Sequence, residues 1–298
     1  MPKKLPTMVI SGASGFLGAQ LVDYFEAQGW QVVALVRTPP KYSKRKLVHY
    51  VAFDLAQPFD DTCFKGADYL VHAAYVKSDR RHPDALAINV DGAQRLITAS
   101  RKYKLKKNIF ISSMSAHGEA VSTYGKQKLA VEKLFATKRD VVLRSGLILG
   151  NGGIVNQMAA FMRSKHVVPL IDGGKQPLQV IAVYNLVEVI AAVLPSRLSG
   201  KFTTATPQVY TYKEFYQAIA RQLGVRVIFV PVPFGLLLAL LRIASTLHLP
   251  LSVNEDNLWG LKKLRAADTT ADLRCIGVHV DSLETALRKT SIQKHTDR

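Results

Sequence analysis

Val9-Ile10-Ser11-Gly12-Ala13-Ser14-Gly15-Phe16-Leu17-Gly18 is the stretch that decides the fold. Apolar β-formers lead into three glycines, each separated from the next by two residues. A helical pattern, Phe16–Gln28, follows and stops near Gly29. In such a strand–turn–helix, Gly12 permits the tight turn and Gly15 lets the backbone approach a pyrophosphate. Gly18 allows the helix to pack closely on the strand, while the helix N-terminus offers amide donors and a positive dipole end. Gly12, Ser14, Gly15, Phe16, Leu17 and Gly18 are therefore candidate dinucleotide contacts. A purely structural glycine turn is the alternative.

Outward from this turn, short apolar runs alternate with helical patterns. Met8–Ser11, Gln31–Val36, Val48–Phe53, Tyr69–Ala73, Asn108–Ser112 and Asp140–Arg144 read as strands, with Asp84–Lys102 and Thr123–Ala136 as helices between them. The alternation implies an α/β fold, a Rossmann-type doubly wound parallel sheet with helices on both faces. Strands buried on both faces explain why the runs are continuously apolar. Residues 1–150 are expected to form the dinucleotide-binding domain, with parts of 151–210 returning to the sheet. Residues 151–298 are expected to form a smaller, mostly helical substrate lobe with a basic tail. Helices are predicted there at Tyr184–Leu194, Tyr212–Leu223 and along the apolar stretch between Pro233 and Pro250.

The end of the second strand should choose the cofactor. A carboxylate there would hold the ribose 2′-hydroxyl of NAD, whereas an arginine can receive the 2′-phosphate of NADP. The sequence reads Val36-Arg37-Thr38-Pro39, which favours NADP with NAD as the alternative; Lys41, Lys44 and Arg45 could reinforce Arg37, unless Arg37 is merely solvated.

A second cluster follows the fifth strand: Ser112-Ser113-Met114-Ser115, then Tyr124-Gly125-Lys126-Gln127-Lys128. Residues four apart share a helix face, so Tyr124 and Lys128 can project into one cleft. A free phenol, with a pKa of about 10, is a poor base near neutrality. The Lys128 ammonium and a positive nicotinamide ring are expected to favour the phenolate. Ser113 would hold a substrate oxygen while Tyr124 moves its proton. Ser112 and Ser115 are rivals to Ser113.

The bulk properties exclude several classes. Apolar residues make up 48% and charged residues 21%, which is globular rather than disordered. Cys63 and Cys275 form neither a disulfide framework nor a metal cluster, which fits a reducing cytoplasm. Gly12 follows the opening too soon for a signal peptide, and no apolar run is long enough for a membrane span. The balance of 40 basic to 22 acidic residues gives +18, a field that favours anionic partners. These charges are dispersed over Lys41–Lys46, Arg101–Lys107 and Lys262–Arg265 and read as solvated surface. Without interleaved aromatics or a recognition motif, they do not make a nucleic-acid site.

With both motifs in place, the chain resembles the extended short-chain dehydrogenase/reductases of the NAD-dependent epimerase/dehydratase type. Val71-His72-Ala73-Ala74 resembles the strand-four segment along the cofactor, Phe53-Asp54-Leu55 the Asp-Leu pair at adenine, and Asn89-Val90-Asp91-Gly92 the Asn-Val-x-Gly motif. Leu143-Arg144-Ser145-Gly146 with Gly150-Asn151-Gly152 is similar to the strand-six segment near nicotinamide. The resemblance implies Ser113, Tyr124 and Lys128 as catalytic residues. It adds Asp54, Leu55, Ala73, Ala74, Asn89, Lys128 and Gly146 to the cofactor contacts. His72 and His117 are expected to be structural or cofactor-lining. A homodimer through Asp84–Lys102 and Thr123–Ala136 is also implied.

The chain departs from the family pattern at Ser145, at His117 and at Tyr184-Asn185, and its Ser113-to-Tyr124 segment is short. The short segment and the apolar stretch after Pro233 count against a UDP-sugar substrate. The expected activity is hydride transfer at a hydroxyl or carbonyl group, on a nucleotide sugar or a less polar ketone or alcohol. A cofactor-binding structural or assembly protein without turnover is the competing function, with the apolar stretch as a docking or membrane-surface helix.

Overall fold

Seven parallel strands form the central sheet of the computed structural model, which describes residues 5–78, 82–246 and 255–290. They are Thr7–Ser11 (β1), Gln31–Val36 (β2), Val48–Ala52 (β3), Tyr69–His72 (β4), Lys107–Ser113 (β5), Asp140–Ser145 (β6) and Gly200–Thr204, which closes one edge. After β6 the chain forms four short strands before that edge strand is reached. These are Leu147–Leu149 (β7), Val167–Ile171 (β8), Pro177–Leu178 (β9) and Val180–Ala182 (β10), making the edge strand β11. The spatial order is β11-β6-β5-β4-β1-β2-β3. The chain thus runs outward in one direction from β1 to β3, then restarts on the other side with β4. The crevice between β1 and β4 is the topological switch point, where open α/β sheets bind ligands.

Side chains alternate across each strand and so fill two cores. Met8 and Ile10 face the helices Phe16–Ala27 (α1) and Val183–Val193 (α5), meeting Leu21, Phe25, Leu186 and Ile190. Val9 faces the opposite layer, where Ala85–Lys102 (α2) contributes Leu96 and Ala99. Phe110 and Val142 pack there on Ala93, Ile97 and Val131, the last from Thr123–Glu132 (α3). Burial on both faces is the reason for the uninterrupted apolar runs. The helix expected to reach Ala136 ends at Glu132, because Leu134 and Phe135 close three-residue turns instead. That tightening seats Phe135 against Phe110, with ring centroids 5.1 Å apart.

Beyond β7 lie Gly153–Lys165 (α4), Tyr210–Thr211 (β12), Tyr212–Leu223 (α6) and Ile228–Val232 (β13). The remaining helices are Phe234–Thr246 (α7), Glu255–Lys262 (α8), Thr270–Ile276 (α9) and Leu283–Lys289 (α10). Helices dominate, as expected, but three two-stranded ribbons (β7–β10, β9–β12, β8–β13) are added to them. Strands of two to five residues interrupted by Pro169, Pro177 and Pro231 carry too little alternation to read in sequence. The predicted helix after Pro233 is present as α7, buried along one side through Phe234 and Leu241. Its expected end, Leu247–Pro250, and the basic tail 291–298 lie outside the described residues.

One basic run departs from the solvated surface expected of it. In Arg101–Lys107, Lys102 and Lys106 pair at the surface with Asp61 and Asp68, but Lys107 is buried. Its ammonium donates to the Val193, Ser196 and Leu198 carbonyls at 2.6–3.0 Å, capping the C-terminal end of α5. Burial lowers the Lys107 pKa, and the carbonyls hold the charge in place. Lys107→Met should strand these carbonyls and lower the unfolding free energy by about 2–3 kcal/mol, read in urea titrations. An unchanged midpoint would show that water replaces the ammonium at no cost.

Candidate active site

The glycine turn lies at the switch point. Gly12 adopts φ +73°, and a Cβ there would stand 2.8 Å from the backbone of Ala74. A Cβ on Gly18 would meet the Gly12 carbonyl oxygen at 2.0 Å. Both glycines are required by backbone approaching backbone. No side chain caps α1 and no acidic residue occupies its first turn, so its amide end is left for an anion. A cleft of about 400 Å³ opens beside it, lined by Gly12, Ser14, Gly15, Ala73 and Ala74 at one end and Arg37, Asp54 and Leu55 at the other. The missing side chains at Gly12 and Gly15 and the exposed Arg37 at the far end fit the diphosphate and adenosine half of a dinucleotide.

The neighbouring predicted residues divide into lining and supporting groups. Leu17 is buried in the core. Asn89 is buried under the cleft, bonding both the amide and the carbonyl of Val76 at 2.8 Å and so fixing the segment after β4. Gly92, one turn later, admits Leu55, whose Cδ2 would lie 2.3 Å from a Cβ there. Of the reinforcing cations, Arg45 is taken by Asp23 and Glu26.

Phe16, next after Gly15, lines a second cleft. Its ring fills the space that side chains at Gly150 and Gly152 would need, at 2.6 and 2.7 Å. The second cleft, about 370 Å³, is lined by Phe16, Ser113, Ser115, Tyr124, Gly146 and Gln179 together with apolar side chains. Ser113 sits at the end of β5 and Tyr124 in the first turn of α3, which Ser122 caps. Asp256 of α8 accepts from the Thr123 amide at 2.6 Å and hydroxyl at 2.9 Å, adding a carboxylate to that helix terminus. Gly125 is needed because the Ser115 carbonyl oxygen lies 2.4 Å from where its Cβ would be.

Lys128 is buried one turn below Tyr124. Its ammonium donates to the Ile111 carbonyl at 2.8 Å and lies 4.9, 5.0 and 5.9 Å from the ring centres of Phe110, Tyr75 and Tyr124. Desolvation pushes the Lys128 pKa down to about 7, against the pull of Glu132. Tyr124 is 37% exposed where it lines the cleft. Its pKa is raised by desolvation, with hydrogen bonding to Ser113 opposing the rise. Burial penalises the charged form of each group, the phenolate of Tyr124 and the ammonium of Lys128.

The other candidates resolve by geometry. Ser112, the rival serine, turns away and donates to Glu132 at 2.6 Å. His72 bonds Ser11 at 2.7 Å, stacks on Phe110 and is held neutral by burial, its pKa pushed down to about 3. His117 keeps a buried Nδ1 without a hydrogen-bond partner. Sequence reading missed Tyr75, Gln127 and Glu132. The Tyr75 hydroxyl donates to Gln127 at 2.7 Å, and its ring meets Tyr124 edge to face at 5.1 Å. Glu132 is buried and accepts two bonds from Arg144 at 2.7 and 2.8 Å. The signal was present: Tyr124, Lys128 and Glu132 recur every four residues on one face of α3.

A Rossmann-type sheet, a glycine turn at its switch point and a Ser-Tyr-Lys cluster over one edge define a nucleotide-dependent oxidoreductase architecture. The chain belongs to the NAD-dependent epimerase/dehydratase family, whose profile it matches over residues 8–203. It is 28% identical over 271 residues to ceramide reductase of Caulobacter vibrioides, covering 87% of this chain and 83% of that one. It is also 22% identical over 283 residues to the mitochondrial NADH dehydrogenase [ubiquinone] 1 alpha subcomplex subunit 9 of Arabidopsis thaliana, covering 87% and 69%. Among solved structures it is similar to MoeE5 in complex with UDP-glucuronic acid and NAD, with a TM-score of 0.74, 21% identity and coverage of 96% and 97%.

Glu132 ties three elements together by holding Ser112 of β5, Arg144 of β6 and its own helix α3. Glu132→Gln leaves Arg144 without its buried counter-charge and is expected to cost about 3–5 kcal/mol of stability, measured by urea unfolding. A loss below about 1 kcal/mol would place the network among weakly contributing pairs.

Proposed function

We propose that this protein is an NADPH-dependent reductase of a weakly polar carbonyl compound, working through Ser113, Tyr124 and Lys128. The observation that carries the substrate class is the lining of the second cleft. Among the described residues its only charged side chain is Arg265, which pairs with Glu119 at the mouth. A nucleotide-sugar diphosphate would need cations free to receive it. The apolar wall instead suits a ketone whose body is buried and whose oxygen meets the two hydroxyls. The similarity to ceramide reductase supports the same class. In this reading residues 1–150 hold the cofactor and residues 151–298 face the substrate. The dimer would form through α2 and α3, which pack side by side.

NADPH held in the first cleft along Gly12, Gly15 and Arg37 would supply a hydride for the carbonyl carbon. Ser113 donates a hydrogen bond to the carbonyl oxygen and orients it. Tyr124, whose pKa desolvation raises, passes its proton to that oxygen as negative charge develops there. Lys128, positioned by the Ile111 carbonyl, stabilises the phenolate left behind when it carries its own proton. The apolar walls exclude water from the transfer. Cofactor choice rests on Arg37, exposed at the adenosine end, with no carboxylate at the end of β2 to bind a 2′-hydroxyl.

A second reading, a cofactor-binding assembly protein without turnover, draws on the similarity to the respiratory-complex subunit. Tyr124→Phe separates the two. It should lower kcat with a ketone substrate by about 10²–10⁴ while leaving NADPH binding, read by nicotinamide fluorescence, intact. Equal turnover by the variant and the wild type would falsify the assigned role. Arg37→Ser should weaken NADPH binding by about 10- to 100-fold and leave NADH unaffected. Parallel losses for the two cofactors would assign Arg37 to the fold instead.

A further inference from the structure

The ribbon formed by β8 and β13 has two apolar faces, although one of them is open to solvent. Its inner face, Val168, Leu170 and Phe229, packs into the core shared by α4, α6 and α10. On the outer face the register pairs Val167 with Ile228 and Pro169 with Val230, and all four are exposed, Ile228 by 67%. A ribbon with one face on the core and the other in water normally carries polar residues outward. The chain continues directly into α7, which exposes Leu236 and Leu240 one turn apart, at 54% and 51%.

Cations border this surface; the carboxylates near it are engaged, Asp172 after β8 by the Phe234 amide and Glu255 by Arg242 of α7. Lys165 and His166 immediately precede Val167, and Arg226 precedes Ile228 by two residues. Arg221 and Arg226 line a shallow recess of about 380 Å³ beside β13, with Phe229 at its wall. Among the described residues Lys165, Arg221 and Arg226 have no carboxylate partner. From Phe215 to Asn254, and again from Ser145 to Ile171, the chain contains no Asp or Glu.

We infer that the β8–β13 ribbon and the exposed side of α7 dock on an anionic lipid bilayer. Ile228, Val230, Leu236 and Leu240 enter the interface, and Arg221 and Arg226 take lipid phosphates. Apolar insertion combined with basic flanks is the recognition logic of peripheral membrane surfaces. A second copy of the chain fits poorly, because apposing two such faces would bring like cation clusters together on a molecule carrying +18. The inference concerns a surface outside both clefts and is independent of the reductase reading.

Cosedimentation of the full chain with vesicles tests it. Vesicles with about 30% phosphatidylglycerol in phosphatidylcholine should bind at least about tenfold more protein than phosphatidylcholine alone, and about 0.5 M salt should abolish most of the difference. The double variant Ile228→Asp/Val230→Asp should lose that binding. Arg221→Ala/Arg226→Ala should lose the preference for anionic vesicles, by roughly fivefold per residue. Because all four positions are exposed, thermal melting should stay at the wild-type midpoint, and turnover of a water-soluble ketone should be unchanged. Binding that is absent, equal on neutral vesicles or unaffected by both variants overturns the inference. So does a lipid-free dimer in sedimentation velocity that the aspartate variant dissociates, since the face would then be a protein contact.

Discussion

Backbone contact between Gly12 and Ala74 sets where everything else can stand. The turn after β1 passes so close to the end of β4 that no Cβ fits at Gly12, and the helix that follows sits so low that none fits at Gly18. These two clearances fix the start of α1, hence the place where its amides and dipole meet an anion. They also fix Phe16, whose ring excludes side chains at Gly150 and Gly152 and lines the second cleft. A cavity for a dinucleotide here is therefore a consequence of main-chain geometry, and its specificity is left to side chains at the rim.

Two buried charges then transmit that geometry across the sheet. Lys107, at the start of β5, closes the end of α5, while Glu132, at the end of α3, joins β5 and β6. Ser113 follows Ser112, which Glu132 holds, and Lys128 lies one turn before Glu132 on the same helix. Serine and lysine are thus referred to a single carboxylate. Removing water from Lys128 weakens its hold on a proton, and Glu132 restores part of it. The proton affinity of Lys128 thus depends on how the helix is anchored.

Much of this was legible because the deciding signals are local. The glycine spacing, the strand runs and the capping box of Thr211 and Glu214, with Gly224 beyond the helix end, each act within a few residues, and α6 has the bounds expected of it. What escaped reading is nonlocal. Lys107 looks like its solvated neighbours until α5 arrives from 86 residues away. Asp256 reaches Thr123 across 133 residues, so no spacing rule could bring it to the first turn of α3. The raised pKa of Tyr124 depends on how much water the surrounding walls remove, which no motif encodes. The ribbons failed for a different reason, their prolines and brevity leaving no period to detect.

The strong positive charge and the nearly uncharged substrate cleft look contradictory until the two are placed. A free cation within the cleft would attract water and anions beside Tyr124, and the one arginine among its described lining residues is neutralised by Glu119. Elsewhere cations carry no such penalty. At the first cleft Arg37 is exposed, and over the outer surface the excess of lysine and arginine acts at a distance. Exposed charge thus lies on the outer surface and at the rim of the first cleft, while the second cleft is walled mainly by apolar side chains around a desolvated Tyr124.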